Sequence, residues 1–249
     1  MARRTEIDVY LSALLDVGRF RDYGPNGLQV EGCAEVCKIV SGVTASRALI
    51  EAAIAAKADT ILVHHGLFWK GHDGRVTGWL KQRLALLLAH QVNLFAYHLP
   101  LDAHPEFGNN AQFGARLQLV ADARFGEQDL GFIASAAEAL TLAGLSAQLQ
   151  QQLGRAPTVV AGDGRPVRRV AWCTGGAQGY FEGAIAAGAD AYITGEISEP
   201  QAHYARETGV AFLACGHHAS ERFGAPALAD HVANKFGIEH RFIEIENPA

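Results

Sequence analysis

Apolar residues along the chain alternate between helical spacing and short continuous runs. A first helix is predicted from four apolar positions at helical spacing: Ile7, Leu11, Leu14 and Leu15. The run Lys38–Thr44 predicts a strand, the Ala-rich run that ends at Asp59 a helix, and the run that starts at Thr60 a second strand. Because crossover connections join parallel strands, this β-α-β order favours a parallel sheet.

The pattern continues with a helix over 80–90 and a strand that ends at His98. Before the first strand, the stretch 23–32 contains Pro-Asn-Gly and is typical of turns. The pattern is weaker over 122–166, where an Ala/Leu/Gln-rich run predicts one helix.

The second half of the chain repeats the plan of the first. A shift of 131 positions aligns IEAAIAAKADTI with FEGAIAAGADAY and places Asp59 on Asp190. Residues 169–174 and Ala191–Thr194 then correspond to the two strands of the first unit. An Ala-rich helix can match by chance, but the flanking strands match as well. An internal duplication is therefore the prediction.

We expect an α/β fold, of mixed α+β type, made of two similar α/β lobes with a metal site in the cleft between them. The lobes are predicted over 1–124 and 125–249. No Pro-rich or low-complexity linker separates them.

Composition narrows the class of protein. The chain has 249 residues, 49% hydrophobic and 19% charged, which excludes intrinsic disorder. Its net charge of −5 argues against nucleic-acid or membrane-surface binding through bulk positive charge. No apolar run is long enough to span a bilayer, and acidic residues interrupt the start of the chain where a signal peptide would need an apolar core. Four scattered cysteines are typical of reduced core thiols, so we expect a cytoplasmic protein.

Histidines and carboxylates follow three of the apolar, strand-like runs. In parallel α/β sheets, ligands bind at the carboxyl ends of the strands. The candidates are His64 and His65, then His98 and Asp102 four positions apart, and His217 and Glu221 with the same spacing. On a helix, the last pair would lie on one face. Pro100 predicts that the middle pair lies on a loop. Ordinary polar residues at strand ends are the alternative interpretation, which three such groups in one chain make less attractive.

Imidazoles and carboxylates suit a transition metal, and the sequence does not choose among Zn, Fe, Mn, Co and Ni. Two neighbouring histidines at a strand end favour two ions side by side, bridged by Asp102 or Glu221. Two divalent ions against two carboxylates leave excess positive charge, which a bridging hydroxide and an anionic or phosphate-bearing substrate would offset. The nucleophile expected is hydroxide on the metal, and no catalytic side chain is identified.

Other motifs in the sequence give weaker evidence of a catalytic or binding role. The turn CTGGAQG at 173–179 matches neither common phosphate-binding pattern, and we interpret it as a tight turn. The sequence contains neither HExxH nor GxSxG. Glu196 is the repeat counterpart of His65 but is not named as a ligand, and His218 stays open between a structural and a metal-binding role. The remaining histidines are interpreted as surface or structural residues: His72, His90, His104, His203, His231 and His240.

Seven segments in order between Tyr23 and Glu221 resemble the Nif-three-like dinuclear metal-centre family, also called GTP cyclohydrolase I type 2 homologues. They are YGPNGLQVEG, GVTAS, VHHGLFWKG, HLPLDAHPEFGNN, WCTGG, ITGEISE and GHHASE. The resemblance implies two α/β lobes around a site for two divalent ions per chain, and a homohexameric ring. It implies five ligands: His64, His65, Asp102, His217 and Glu221. It makes His98 a near-site residue rather than a ligand.

Two functions follow from these observations. The first is a dinuclear metal-dependent hydrolase that acts on a nucleotide or a related anionic small molecule. The second is a metal-binding hexameric scaffold for protein interaction or metal handling. Paired metals usually serve chemistry, which favours the hydrolase.

Overall fold

A computed structural model describes residues 1–249 and contains ten α-helices and thirteen β-strands. The helices are Arg4–Leu14 (α1), Arg47–Ala55 (α2), Gly78–Ala89 (α3), Leu99–Ala103 (α4), Asn109–Arg116 (α5), Leu142–Leu153 (α6), Phe181–Ala186 (α7), Glu199–Thr208 (α8), His217–Ser220 (α9) and Gly224–Phe236 (α10). The strands are Ala2–Arg3 (β1), Gly27–Val30 (β2), Glu35–Val36 (β3), Lys38–Thr44 (β4), Thr60–His65 (β5), Asn93–Ala96 (β6), Ala123–Phe125 (β7), Gly131–Leu140 (β8), Thr158–Val160 (β9), Val167–Trp172 (β10), Ala191–Thr194 (β11), Ala211–Ala214 (β12) and Glu239–Phe242 (β13). The predicted mixed α/β class is confirmed.

The chain divides into two compact units, and the first is Met1–Gly108 with Gly224–Glu246. Its five-stranded sheet has the order β13-β4-β5-β6-β2, and only β2 runs antiparallel to its neighbour. Successive strand residues point to opposite faces, so Val40 and Ile61 pack against α2 and α3 while Ile39 and Leu62 pack against α1 and α10. Helices thus cover both faces of this sheet, as buried parallel strands require.

The second unit is Asn109–Phe223 with Asn247–Ala249. Its six-stranded sheet has the order β7-β8-β10-β11-β12-β9, in which β10, β11 and β12 are parallel. Helix α6 contributes Leu145 and Leu149 to a core with Trp172 and Ile193 of the sheet. The central parallel strands therefore end at one edge of this sheet, as β4, β5 and β6 do in the first unit.

Hydrogen bonds support the internal repeat. Asp59 Oδ2 accepts from the backbone N–H groups of Cys37 and Lys38, at 2.7 and 3.0 Å. Asp190 Oδ2 accepts from the N–H groups of Arg168 and Arg169, both at 2.9 Å. The acceptor and both donors of the second pair of bonds lie 131 positions after those of the first pair. Each aspartate precedes the second strand of its unit and ties the start of the first strand to it.

The compact units divide the chain at other places than the predicted 1–124 and 125–249. Helix α10 returns to the first unit because its apolar residues Leu228 and Val232 are buried with Ile39 and Leu62 of that sheet. Helix α10 therefore covers this face of the sheet together with α1. Residues from Asn109 onward belong to the second unit because α5 buries Phe113 in the second core.

Three local predictions need correction. Asp102 does not lie on a loop but on the short helix α4, which His98 directly precedes, with Pro100 in the first turn, where a missing N–H breaks no bond. Strand β8 was not predicted because GFIASAAEAL is Ala-rich, and its pairing with β10 determines its conformation. Cys173 and Cys215 are buried thiols, as expected, whereas Cys37 is exposed. None of the helices combines the length and hydrophobicity that a membrane crossing needs.

Candidate metal centre

His64 is fixed at the end of β5 with one ring nitrogen turned toward a carboxylate. Its side chain is completely buried, and its Nδ1 lies 2.9 Å from the backbone oxygen of Tyr97. Because a backbone carbonyl only accepts, Nδ1 donates its proton to this oxygen, and Nε2 is the ring nitrogen turned toward the carboxylate. That Nε2 is 3.5 Å from Asp102 Oδ1. A ring nitrogen and a carboxylate oxygen at this distance are two donors that one divalent cation can bind together.

His65 and His98 lie beside His64. The ring centroids of His64 and His65 are 4.5 Å apart, and those of His64 and His98 are 5.0 Å apart. The three residues each offer a ring nitrogen within 4.8 Å of the others. Helix α4 begins directly after His98 and holds it at this edge of the sheet, beside the other two histidines.

Both of these histidines are held through Nδ1. Thr44 Oγ1 at the end of β4 lies 3.2 Å from His65 Nδ1, and Asp22 Oδ1 lies 2.6 Å from His98 Nδ1. Burial by itself raises the pKa of the Asp22 carboxyl, but His98, helped by Asn26, lowers it to about 2. Asp22 is thus an ionised anchor of His98, which the sequence did not indicate.

In the second unit, His217 and Glu221 meet as the spacing predicted. His217 opens α9, Glu221 follows that helix, and His217 Nε2 is 3.2 Å from Glu221 Oε2. On its other side, His217 Nδ1 is 2.6 Å from Glu196 Oε1. Burial by itself lowers the pKa of His217, but the Glu221 and Glu196 carboxylates outweigh it and raise that pKa to about 9. A divalent ion that binds at Nε2 must displace this proton.

The turn after β10 shapes the space around Glu221. Glu221 is only 3% exposed, and Gly175 lies so close that a Cβ there would overlap its Oε1. The Gly175 N–H donates to Ser220 Oγ at 2.9 Å, and the Thr174 N–H donates to Asn110 Oδ1 at 2.9 Å. Both N–H groups are therefore engaged within the protein. This agrees with the tight turn interpreted from the sequence rather than a phosphate cradle.

The two His-x3-carboxylate pairs are not equivalent in the repeat. The ladder pairs Thr60 with Asn93 in the first sheet and Ala191 with Ala211 in the second. His98 lies five positions after Asn93, and the residue five positions after Ala211 is Gly216. His98 therefore corresponds to Gly216 and not to His217. The pairs therefore occupy similar but not identical places at the strand ends. Glu196 keeps the predicted correspondence with His65 and serves as the anchor of His217.

Histidines outside these groups have structural partners. His218 offers no ligand atom to any group of converging donors, and its N–H donates to Ala249 O. His240 lies between Ser41 Oγ at 2.8 Å and Asp230 Oδ1 at 2.6 Å, which is the connectivity of a serine hydrolase triad. Ser41 is completely buried within β4, so no acyl substrate can reach its hydroxyl. We assign this triad to structure.

The donors within each unit fit a divalent transition metal. Four histidines are held at Nδ1 by a neighbouring oxygen, which presents Nε2 as the ligating atom: His64, His65, His98 and His217. Metal-binding histidines in proteins are oriented by such outer hydrogen bonds. Two of the four, one in each unit, also face a buried carboxylate through Nε2. Imidazole with carboxylate is the donor set of Zn, Fe, Mn, Co and Ni.

Comparison with known proteins extends these findings. The family model described as Duf34/NIF3 (NGG1p interacting factor 3) matches residues 2–248. A protein of Neisseria meningitidis serogroup A named "GTP cyclohydrolase 1 type 2 homolog" is 51% identical over the full length of both chains. A solved structure described as "protein ybgI, unknown function" has a TM-score of 0.95 at 43% identity, and TTHA1606 from Thermus thermophilus has 0.92 at 34%, each over all of both chains. The resemblance read from the motifs is confirmed.

Proposed function

The chain belongs to the Duf34/NIF3 family, and we propose that it is a dinuclear, divalent-metal-dependent hydrolase of a nucleotide or a related anionic small molecule. In this proposal, the two ions are held by five ligands: His64, His65, Asp102, His217 and Glu221. His98 lies beside them as a near-site residue. The name shared by relatives about half identical to this chain supports a nucleotide-like substrate.

One observation carries the proposal. Each unit contains a histidine whose Nδ1 is held by an oxygen and whose Nε2 faces a buried carboxylate, namely His64 with Asp102 and His217 with Glu221. An imidazole nitrogen and a carboxylate oxygen that converge in this way are donors that divalent transition metals bind. Two such pairs in one chain, with further histidines beside the first, favour two ions over one.

Bound divalent ions supply Lewis-acid chemistry, because they lower the pKa of coordinated water and stabilise developing negative charge. The side chains of this protein supply the geometry. Tyr97, Thr44 and Glu196 fix the ring orientations of the histidines that they contact, so the ligands need little rearrangement on binding. Asp102 and Glu221 carry two negative charges against four positive ones, and an anionic substrate compensates part of the excess.

The same proposal includes assembly and location. Six copies of the chain form a homohexameric ring, as the family resemblance implies, and the protein works in the cytoplasm. The four free cysteines support a reducing compartment.

The decisive assay offers purified, metal-stripped protein a panel of nucleotides, with Zn, Mn, Fe, Co or Ni added back singly. We expect hydrolysis of at least one nucleotide that requires the metal and is lost in Glu221→Gln. The control is Glu199→Gln, which alters another i,i+4 Glu/His pair, with His203, on an exposed helix face. Metal binding without turnover of any nucleotide would contradict the hydrolase and favour the interaction scaffold.

A further inference from the structure

Two turn-rich segments of the first unit, 22–29 and 66–70, are locked together beside the histidines. Gln29 Oε1 accepts from the Leu67 N–H at 2.8 Å, and the Lys70 N–H donates to Tyr23 O. A Cβ at Gly24 would overlap Phe68 O, and one at Gly66 would overlap the Gln29 amide, so both glycines permit this close approach. These segments contain YGPNGLQ and GLFWK, the second of which directly follows His64 and His65, and the proposed metal chemistry uses neither of them.

The first segment is also tied to His98. Asn26 Oδ1 accepts from the His98 N–H at 2.7 Å, and Asp22 Oδ2 accepts from the Leu99 N–H at 2.9 Å. The side chains of these segments therefore have a fixed position relative to the candidate metal ligands.

They carry two exposed aromatic rings. Trp69 lies edge-on to His98, with centroids 5.2 Å apart at 89°, and 5.9 Å from the ring of His65. Tyr23 lies on His98 as well, with centroids 6.2 Å apart at 66°. Trp69 is 36% exposed and Tyr23 62% exposed, although large aromatic rings are normally well buried.

The cleft that Trp69 shares with His64 and His98 has a volume of about 10 Å³, enough for no more than a water molecule. The cleft therefore does not enclose a ring-sized ligand, and the surface open to one is the exposed aromatic rim. Lys70, next to Trp69, is exposed and offers a positive charge for an anion there.

We propose that Trp69 and Tyr23 form a stacking platform for the planar heteroaromatic ring of a phosphate-bearing ligand, and thereby determine which anions reach the metal centre. Aromatic side chains stack on any base because every base presents a π-face. The inference rests on the proposed function and specifies the substrate class as a ring-bearing phosphate rather than a sugar phosphate or inorganic phosphate.

Trp79 provides the matched control. It is 53% exposed in the same unit, but Arg83 lies over its ring at 4.8 Å, and it belongs to the first turn of helix α3. No ring contact joins Trp79 to a candidate ligand, whereas Trp69 contacts the rings of His65 and His98. Replacing Trp79 thus removes an exposed tryptophan without touching the platform.

The test measures equilibrium binding to zinc-loaded protein by calorimetry, with guanosine 5′-monophosphate and ribose 5-phosphate as probes. We expect the nucleotide to bind at least about 10-fold more tightly than the sugar phosphate, because stacking contributes to only one of them. Trp69→Leu should abolish this difference, Trp69→Phe should keep most of it, and Trp79→Leu should leave it unchanged.

Equal affinity for the two probes, no saturable nucleotide binding, or a preference that survives in Trp69→Leu would each overturn the platform. If Trp69→Leu instead changes sedimentation and leaves nucleotide binding as it was, Trp69 serves a protein interface and the platform is again wrong. The outcome for the hydrolase is separate. Trp69-dependent nucleotide binding without any hydrolysis would retain the platform and reject the hydrolase, whereas hydrolysis with Trp69-independent binding would do the reverse.

Discussion

Gly175 lies against the carboxylate of Glu221, and the Cβ of any other residue at position 175 would overlap that carboxylate. The glycine has φ of +72°, a backbone conformation that other residues adopt at a cost. Its N–H is bonded to Ser220 Oγ, one residue before Glu221. This hydrogen bond therefore fixes the turn after β10 against helix α9, which Glu221 directly follows.

Gly175→Ala tests this relationship. The added methyl group must displace the Glu221 side chain, so we expect metal content to fall, together with a loss of about 1 kcal/mol in the free energy of unfolding. Gly179→Ala is the control in the same turn, because nothing lies within 4 Å of a Cβ there. Metal analysis and thermal unfolding of both variants give the answer. Unchanged metal content in Gly175→Ala would show that Glu221 tolerates displacement.

Glu221→Gln tests the proposed role of the Glu221 negative charge in metal binding. The amide keeps the size of the side chain but removes the negative charge that offsets two divalent cations, so we expect at least one ion to be lost and folding to persist. Metal-to-protein ratios after reloading and desalting measure this, beside Glu199→Gln. Full retention of both ions in Glu221→Gln would contradict the assignment.

Glu196→Ala tests an outer anchor. Removing the oxygen 2.6 Å from His217 Nδ1 leaves the ligand in place but less well oriented. Loss of such a partner typically weakens metal affinity by about 10- to 100-fold. A competition titration against a chelator should therefore show weaker binding that excess metal restores, unlike in Glu221→Gln. The exposed Glu182→Ala should bind as the unmodified protein does. An affinity unchanged in Glu196→Ala would argue against an orienting role.

Assembly is testable without reference to the metal. Six copies of a 26.6 kDa chain should sediment as one species near 160 kDa at micromolar concentration, a mass that follows from the proposed hexamer. A monomer or dimer under these conditions would contradict the proposed ring and leave the ligand assignments untouched.

The sequence predicted the elements that position the site because their signals are local. Lys38–Thr44 and Thr60–His65 are continuous apolar strands, and the repeat located their counterparts in the second half. Long-range pairing decided what the sequence did not reveal. Helix α10 follows the second unit in the chain but packs on the first, and β8 has an Ala-rich sequence that its pairing with β10 holds extended.

The same distinction applies to the candidate site. His64, His217 and Glu221 stood out because they follow apolar strands, whereas their anchors carry no spacing signal. Asp22 comes from a turn 76 positions before His98. Glu196 alone had a signal, as the repeat counterpart of His65. The one-residue offset between His98 and His217 arises after the paired strand residues, because His98 follows Asn93 by five positions and His217 follows Ala211 by six, which only the strand register reveals.

The central claim is that one chain binds two divalent ions through His64, His65, Asp102, His217 and Glu221. The most direct test is an anomalous-difference map from crystals of the zinc-reloaded protein, collected on both sides of the zinc absorption edge. We predict two zinc peaks per chain, each within coordination distance of side chains that belong to this set of five. A single peak, or two peaks bound by other residues, would contradict the dinuclear centre.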